Sequence, residues 1–134
     1  GLGLAIEESE ARISHDPLPT VNGDADQLGL LLQNLIGNAI KFHGTAPPQV
    51  HLRARETEGS WEISVQDNGI GIDPEYSERI FEVFQRLHSR EDYPGTGIGL
   101  AVCRRIVERH GGTIEVESEP GNGSTFRFVI PRND

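Results

Sequence analysis

Six consecutive residues, Asp67-Asn68-Gly69-Ile70-Gly71-Ile72, set the tightest limit on the fold. They follow directly on Trp61, Ile63 and Val65, an alternating apolar run that predicts a strand with one buried face. A strand that ends in a carboxylate and then in two glycines one residue apart is built to expose backbone. Without a Cβ, Gly69 and Gly71 can take positive φ and let a flat ligand lie against the peptide groups. Asp67 then stands at the mouth of that surface as a hydrogen-bond acceptor. Alone, an acid followed by Gly-x-Gly is also the sequence of a tight turn, so its meaning depends on what flanks it.

The chain has 134 residues, of which 35% are hydrophobic and 25% charged, and fits one globular domain. No apolar run approaches the roughly 20 residues that span a bilayer, and no charged-then-apolar leader opens the chain. A cytoplasmic domain without direct membrane contact is expected. The single cysteine, Cys103, excludes an internal disulfide and a cysteine-cluster metal site. With no methionine anywhere, Gly1 reads as an internal residue of something longer. A net charge of -9 argues against a nucleic-acid surface, which needs clustered cations. Lys41 is the one lysine among 12 basic residues. A polyphosphate bound by so acidic a domain calls for a divalent cation and a few placed cations.

Along the chain, residues 2–10 suggest the tail of a helix, Ala11 to Ser14 a short strand, and Pro17 and Pro19 a break. Thr20 and Val21 suggest a further short strand. Asp24 to Phe42 is the clearest helix. Asp24 and Gln27 have the spacing of a capping box, and Leu28, Leu31, Leu32, Leu35, Ile36, Ala39 and Ile40 repeat at helical intervals. Asn34, Asn38 and Lys41 form a polar stripe beside that apolar face, either the wall of a cleft or a solvated helix edge. Val50, Leu52 and Ala54 alternate, which predicts a hairpin with the Trp61 to Val65 strand. Asp73-Pro74-Glu75 starts a short helix. Ser89 to Thr96 is almost devoid of apolar residues and is expected to be a mobile loop.

Gly95-Thr96-Gly97-Ile98-Gly99-Leu100 then opens an amphipathic helix that directs Leu100, Cys103, Ile106 and Val107 inward and Arg104, Arg105, Glu108 and Arg109 outward, and Gly111-Gly112 stops it. Glycines at a helix start leave N–H groups free to meet an anion, which is phosphate chemistry. Thr113 to Glu117 and Ser124 to Ile130 give two last strands across a Pro120-to-Gly123 turn. The sum is an α+β fold over residues 1–134: a two-layer sandwich with a mixed, mostly antiparallel sheet of five or six strands covered by helices.

Asn34-Leu35-Ile36-Gly37-Asn38-Ala39, Asp67-x-Gly69-x-Gly71, a Phe81/Phe84 segment and Gly95-Thr96-Gly97-Ile98-Gly99-Leu100 follow in this order. The series closely resembles the catalytic ATP-binding domain of sensor histidine kinases, of the gyrase, chaperone and histidine-kinase ATPase superfamily with its Bergerat-type fold. The likeness spans about Leu18 to Pro131, and the Phe84-to-His88 and Pro94-to-Thr96 variants look most like kinases attached to phytochrome or PAS sensors. It implies that Asp67 accepts from the adenine amino group, that Gly69 and Gly71 floor the base pocket, that Phe42 lies near the base, and that Ile72 and Phe84 belong to the nucleotide-binding set. It implies that Asn38 ligates Mg²⁺, and that Asn34, Lys41 and Arg86 serve the phosphates and the transfer. Gly95, Thr96, Gly97, Gly99 and Leu100 would form the lid hinge and phosphate cradle, with Pro94 replacing a glycine common in the family.

The cofactors implied are ATP and Mg²⁺. The partners implied are a dimerisation and histidine-phosphotransfer domain of the same protein, to which residues 1–17 would lead, and a response-regulator receiver domain. The isolated domain would be a monomer and the full kinase a homodimer. Rival readings are an ATP-hydrolysing relative, a degenerate nucleotide-binding module, and a serine kinase of the anti-sigma type. Hydrolysing relatives carry a glutamate one helical turn before the metal-binding Asn; Asn34 stands there and cannot act as a base. Cys103 reads as a core residue. His51, His88 and His110 lack metal-ligand spacing, and Asp92-Tyr93 reads as solvated loop. His15, despite a faint phospho-acceptor echo in Ser14-His15-Asp16, reads as a surface loop residue.

Overall fold

The computed structural model describes residues 10–19, 23–42, 44–82 and 99–131. Within these the order is β1 (Arg12–His15), α1 (Ala25–Lys41), β2 (Gln49–Thr57), β3 (Ser60–Asp67), two single 3-10 turns (Pro74–Tyr76 and Arg79–Phe81), α2 (Gly99–Arg109), β4 (Thr113–Ser118) and β5 (Ser124–Pro131). The five strands form one sheet in the order β1-β2-β3-β5-β4. Only the β1–β2 pair is parallel; β2–β3, β3–β5 and β4–β5 are antiparallel. The expected mixed, mostly antiparallel sheet is thus found. The expected strand at Thr20 and Val21 lies outside the described residues.

Alternation decides which face is buried. Val50, Leu52, Ile63, Val65, Phe126, Phe128 and Ile130 turn one way and meet Leu31, Leu35, Ala39, Ile40, Cys103, Ile106 and Val107 from the helices. The other face is polar: Arg127 there meets Glu62, Glu115 and Glu117 at 3.4–3.5 Å. Cys103 is fully buried and its thiol pKa is pushed up to about 12, chiefly by desolvation, as a core residue requires. Arg104, expected to point outward, is half-buried: it lies over the Phe81 ring at 5.7 Å and reaches Glu78 at 3.6 Å. A long side chain buries its stem while its head stays wet. Phe81 meets Phe126 edge-to-face at 6.2 Å.

Three local expectations are corrected. Asp24 caps α1 by accepting from Gln27 N–H at 3.0 Å, but its own N–H is taken by His110 Nε2 at 3.1 Å instead of by a Gln27 side chain. A tertiary partner from the far end of α2 has replaced half of the capping box. His15 ends β1 instead of lying in a loop, exposed, with Nδ1 2.8 Å from the Asp16 carbonyl. Parallel pairing with β2 holds it there, as it sets Ser14 opposite His51. The helix expected after Asp73 is two separate 3-10 turns, the first capped by Asp73 on Glu75 N–H.

Candidate functional site

β3 delivers Asp67 to the end of the sheet, and the next residues are immobilised by contacts that only glycine permits. A Cβ on Gly69 would sit 2.5 Å from the Phe42 carbonyl oxygen. Gly71 has φ of +77°, and a Cβ there would sit 2.0 Å from the Glu119 carbonyl oxygen. So of the two glycines expected to take positive φ, only Gly71 does. Gly69 is required by close approach to the end of α1. Three hydrogen bonds complete the lock: Ile70 N–H to Phe42 C=O at 3.0 Å, Gly121 N–H to Ile70 C=O at 2.7 Å, and Ile72 N–H to Ser118 Oγ at 2.7 Å. Asn68 spans the next loop, accepting from Gln49 N–H at 2.7 Å and donating to Pro47 C=O at 3.2 Å.

Asp67 is half-buried, and its Oδ1 accepts from Gly69 N–H at 2.8 Å and Ser124 N–H at 3.2 Å. Among the described residues no donor reaches Oδ2. Burial raises the carboxyl pKa above its ordinary 3.8, while the two backbone hydrogen bonds pull it down. The result is a carboxylate aimed by one oxygen and open to a donor at the other. It lines a cavity of about 560 Å³ with Ile72, Ser118, Gly123 and Ser124.

The second group of predicted residues stands on α1. Asn34, Asn38 and Lys41 are all half-buried, as a cleft wall requires, on the flank of a helix whose Leu31, Leu35 and Ala39 are buried. Asn34 Nδ2 donates to the Leu30 carbonyl at 3.1 Å, one turn back. Its Oδ1 therefore faces α2, 3.3 Å from where a Cβ on Gly99 would lie. Gly99, half-buried like the following Leu100, is thus brought against the stripe. No described residue hydrogen-bonds to the Asn38 side chain, so its amide oxygen is available to a hard cation such as Mg²⁺. Lys41 Nζ lies 4.9 Å from the centroid of the Phe42 ring. The two groups are joined at Phe42, which follows Lys41 and holds Gly69 and Ile70. Phe84, Arg86, Gly95, Thr96 and Gly97, with the expected Ser89-to-Thr96 loop, lie outside the described residues.

The sequence reading missed Ser118, Gly123 and Ser124. Ser124 pairs with Asp67 in the β3–β5 register, and a Cβ on Gly123, at φ +74°, would sit 2.1 Å from the Asp67 carbonyl oxygen. Only strand register brings them there, and spacing along the chain carries no trace of it. The Gly-x-Gly at Gly121 and Gly123 was the available signal, read as a hairpin turn alone.

Residues 23–134 match the family model described as histidine kinase-, DNA gyrase B-, and HSP90-like ATPase. The chain belongs to this family. Its sequence is 57% identical over 126 residues to cyanobacterial phytochrome A of Nostoc sp., covering 94% of this chain and 16% of that protein. The chain thus spans under a fifth of the length of that relative. Full-length ShkA in complex with AMPPNP superimposes with a TM-score of 0.82 at 34% identity, over 97% of this chain and 27% of ShkA. The catalytic domain of histidine kinase ThkA, nucleotide free, gives 0.80 at 30% identity over 98% of this chain and 85% of that one. ThkA has also been solved in complex with the response regulator TrrA, at a TM-score of 0.76, 26% identity, and coverage of 98% of this chain and 37% of ThkA. Sheet order, helices and family membership are those of a histidine-kinase ATP-binding domain.

Proposed function

We propose that this domain binds Mg-ATP through Asp67 and the α1 stripe and transfers the γ-phosphoryl group to a histidine on a separate dimerisation domain of the same protein. The observation that carries the reading is the Asp67 carboxylate, with Oδ1 held by two backbone N–H groups and Oδ2 left for the amino group of adenine. Phosphoryl transfer asks for positioning and charge neutralisation more than for covalent chemistry from the protein. Asn38 would hold Mg²⁺, which when bound neutralises and orients the phosphates. Lys41 adds the one lysine charge, and the α2 start at Gly99 offers a glycine backbone beside Asn34. Arg86 and Gly95, Thr96 and Gly97 are assigned to the same phosphates by family likeness alone.

Hydrolysis is disfavoured because Asn34 stands where a hydrolysing relative has its carboxylate, and its amide is turned back onto Leu30. A neutral imidazole is already a nucleophile and needs less activation than water. A cytoplasmic location and a response regulator as the next acceptor fit the family; no described helix is long and apolar enough to cross a membrane. Mixing the domain with its histidine-bearing helices and γ-labelled ATP should give an acid-labile, alkali-stable phosphoprotein, unchanged by His15→Ala. Rapid ATP turnover by the domain alone, or label on His15, would reverse the assignment.

A further inference from the structure

Asparagine followed by glycine occurs at Asn22-Gly23, Asn68-Gly69 and Asn122-Gly123. In such a pair the glycine nitrogen can close on the asparagine side-chain carbon, because a residue without a Cβ neither blocks the approach nor resists the backbone rotation it needs. The N–Cγ bond forms, the bond from Cγ to the side-chain amine breaks, and that amine takes the glycine N–H proton and leaves as ammonia. A five-membered succinimide remains. Water then opens one of its two carbonyls, giving aspartate or isoaspartate.

Asn22 lies outside the described residues, and the other two pairs differ in what holds them. At Asn68 every reacting group is tied. Its Oδ1 accepts from Gln49 N–H at 2.7 Å, its Nδ2 donates to Pro47 C=O at 3.2 Å, and Gly69 N–H is committed to Asp67 Oδ1 at 2.8 Å. Asn122 is exposed, and its side chain makes a single hydrogen bond to a described residue, a long 3.4 Å reach from Nδ2 to Glu119 Oε2. No described residue accepts from Gly123 N–H. Both glycines are buried, so access to the nitrogen does not separate the two sites; hydrogen bonding does.

The place of Asn122 gives the reaction a consequence. It lines the cavity, in a turn fastened on both sides: Gly121 N–H holds Ile70 C=O at 2.7 Å, and a Cβ on Gly123 would sit 2.1 Å from the Asp67 carbonyl oxygen. An isoaspartyl link runs the main chain through the side chain, which adds one carbon between those two anchors. It also leaves a free carboxylate on a cavity that Glu117 and Glu119 already line. We propose that Asn122 is a self-modifying site, at which closure by the Gly123 nitrogen converts the asparagine to aspartate and isoaspartate and loosens the turn that holds Ile70. Nothing in this depends on what the cavity binds.

The folded domain, incubated in warm, mildly alkaline buffer, is digested and each peptide followed by mass spectrometry, with the urea-unfolded domain as reference. Freeing Asn68 means giving up two ordinary side-chain hydrogen bonds, so the acid forms should build up about 10- to 30-fold faster at Asn122 than at Asn68. Without the fold, the two sites should react at about the same rate. The fraction modified at Asn122, resolved by anion exchange through its added charge, should lose hydrogen-exchange protection at Gly121 N–H. Asn122→Gln, which would have to close a larger ring, should keep that protection through the same incubation. Equal rates at the two sites in the folded domain, no reaction at Asn122, or unchanged Gly121 protection in the modified fraction would each overturn the proposal.

Discussion

The proposed base end of the site and the proposed phosphate wall are built on opposite plans. At the base end, carbonyls of Phe42 and Glu119 occupy the positions a Cβ would need on Gly69 and Gly71, and backbone hydrogen bonds tie the loop to α1, to the β4–β5 turn and to Ser118. Asp67 is aimed before any ligand arrives. On the wall, the Asn34 side chain makes one bond within its own helix, and no described residue hydrogen-bonds to the Asn38 side chain. The first region is determined by packing. The second holds polar groups at a spacing and leaves their final geometry to whatever binds there. On the function proposed above, recognition of the base would draw on preorganisation, whereas placing the phosphates would depend on the ligand itself.

The largest expected effect is at the packed end. Gly71→Ala should destabilise the domain by on the order of 3 kcal/mol or prevent folding, since a Cβ there meets backbone and the φ is left-handed; thermal unfolding measures it. A domain as stable as the original would show that the lock is loose and the contrast false. Next comes Asp67→Asn, which puts a mixed donor and acceptor opposite a donor amine. ATP affinity should drop by on the order of 1–3 kcal/mol, while the nucleotide-free domain stays folded, because Gly69 and Ser124 can still bond to the amide oxygen.

Asp67 also predicts a pH dependence with two opposite signs. Only the ionised carboxylate accepts fully, and burial raises its pKa above 3.8. ATP affinity should therefore fall as pH falls through that raised value, earlier than an exposed aspartate would dictate. Stability without nucleotide moves the other way. The folded form takes up the proton before the unfolded one, so this group adds stability as pH falls through the window and loses it as pH rises. Calorimetric titrations across acidic pH should show the affinity trend, and Asp67→Asn should abolish it.

A smaller loss is expected on the wall. Asn38→Ala should lower ATP affinity in Mg²⁺ by about tenfold, roughly 1.4 kcal/mol, the low end of the losses typical of metal partners, and leave affinity in chelator unchanged. Equal affinity with and without Mg²⁺ in the unsubstituted domain would remove the role given to Asn38. The smallest effect is a gain: Gly29→Ala, on an open face of α1 with nothing near its Cβ position, should stabilise by about 0.5–1 kcal/mol in denaturant titration. It would leave both halves of the site as they are, and so calibrates the others.

What could be read from the sequence follows the same division. The α1 stripe is a matter of helical periodicity, a local property, and Asn34, Asn38 and Lys41 were found from spacing alone. The β2–β3 hairpin and the β4–β5 turn were equally local. Asp67 was legible because a strand pattern ran straight into it. The residues that aim it were not, because Ser118, Gly123 and Ser124 arrive through sheet register from 51 or more positions away. Gly69 looked like a conformational glycine and is a packing one, since sequence cannot separate a positive φ from a carbonyl pressed against the chain. His110 as the acceptor for Asp24 N–H was hidden for the same reason: 86 residues separate the pair.

That imidazole also turns α1 and α2 into a lever. His110 pins the C-terminal end of α2 to the first turn of α1, its ring filling the space a Cβ on Gly23 would need. Gly99 lies at the far end of α2, about 15 Å away at 1.5 Å per residue. With the pivot fixed, a tilt of about 10° in α2 sweeps Gly99 through roughly 3 Å along the face of Asn34. The same tilt moves Val107, three residues from His110, by less than about 1 Å, so the change spares the core beside the pivot and is largest at Gly99, where the proposed phosphate site lies.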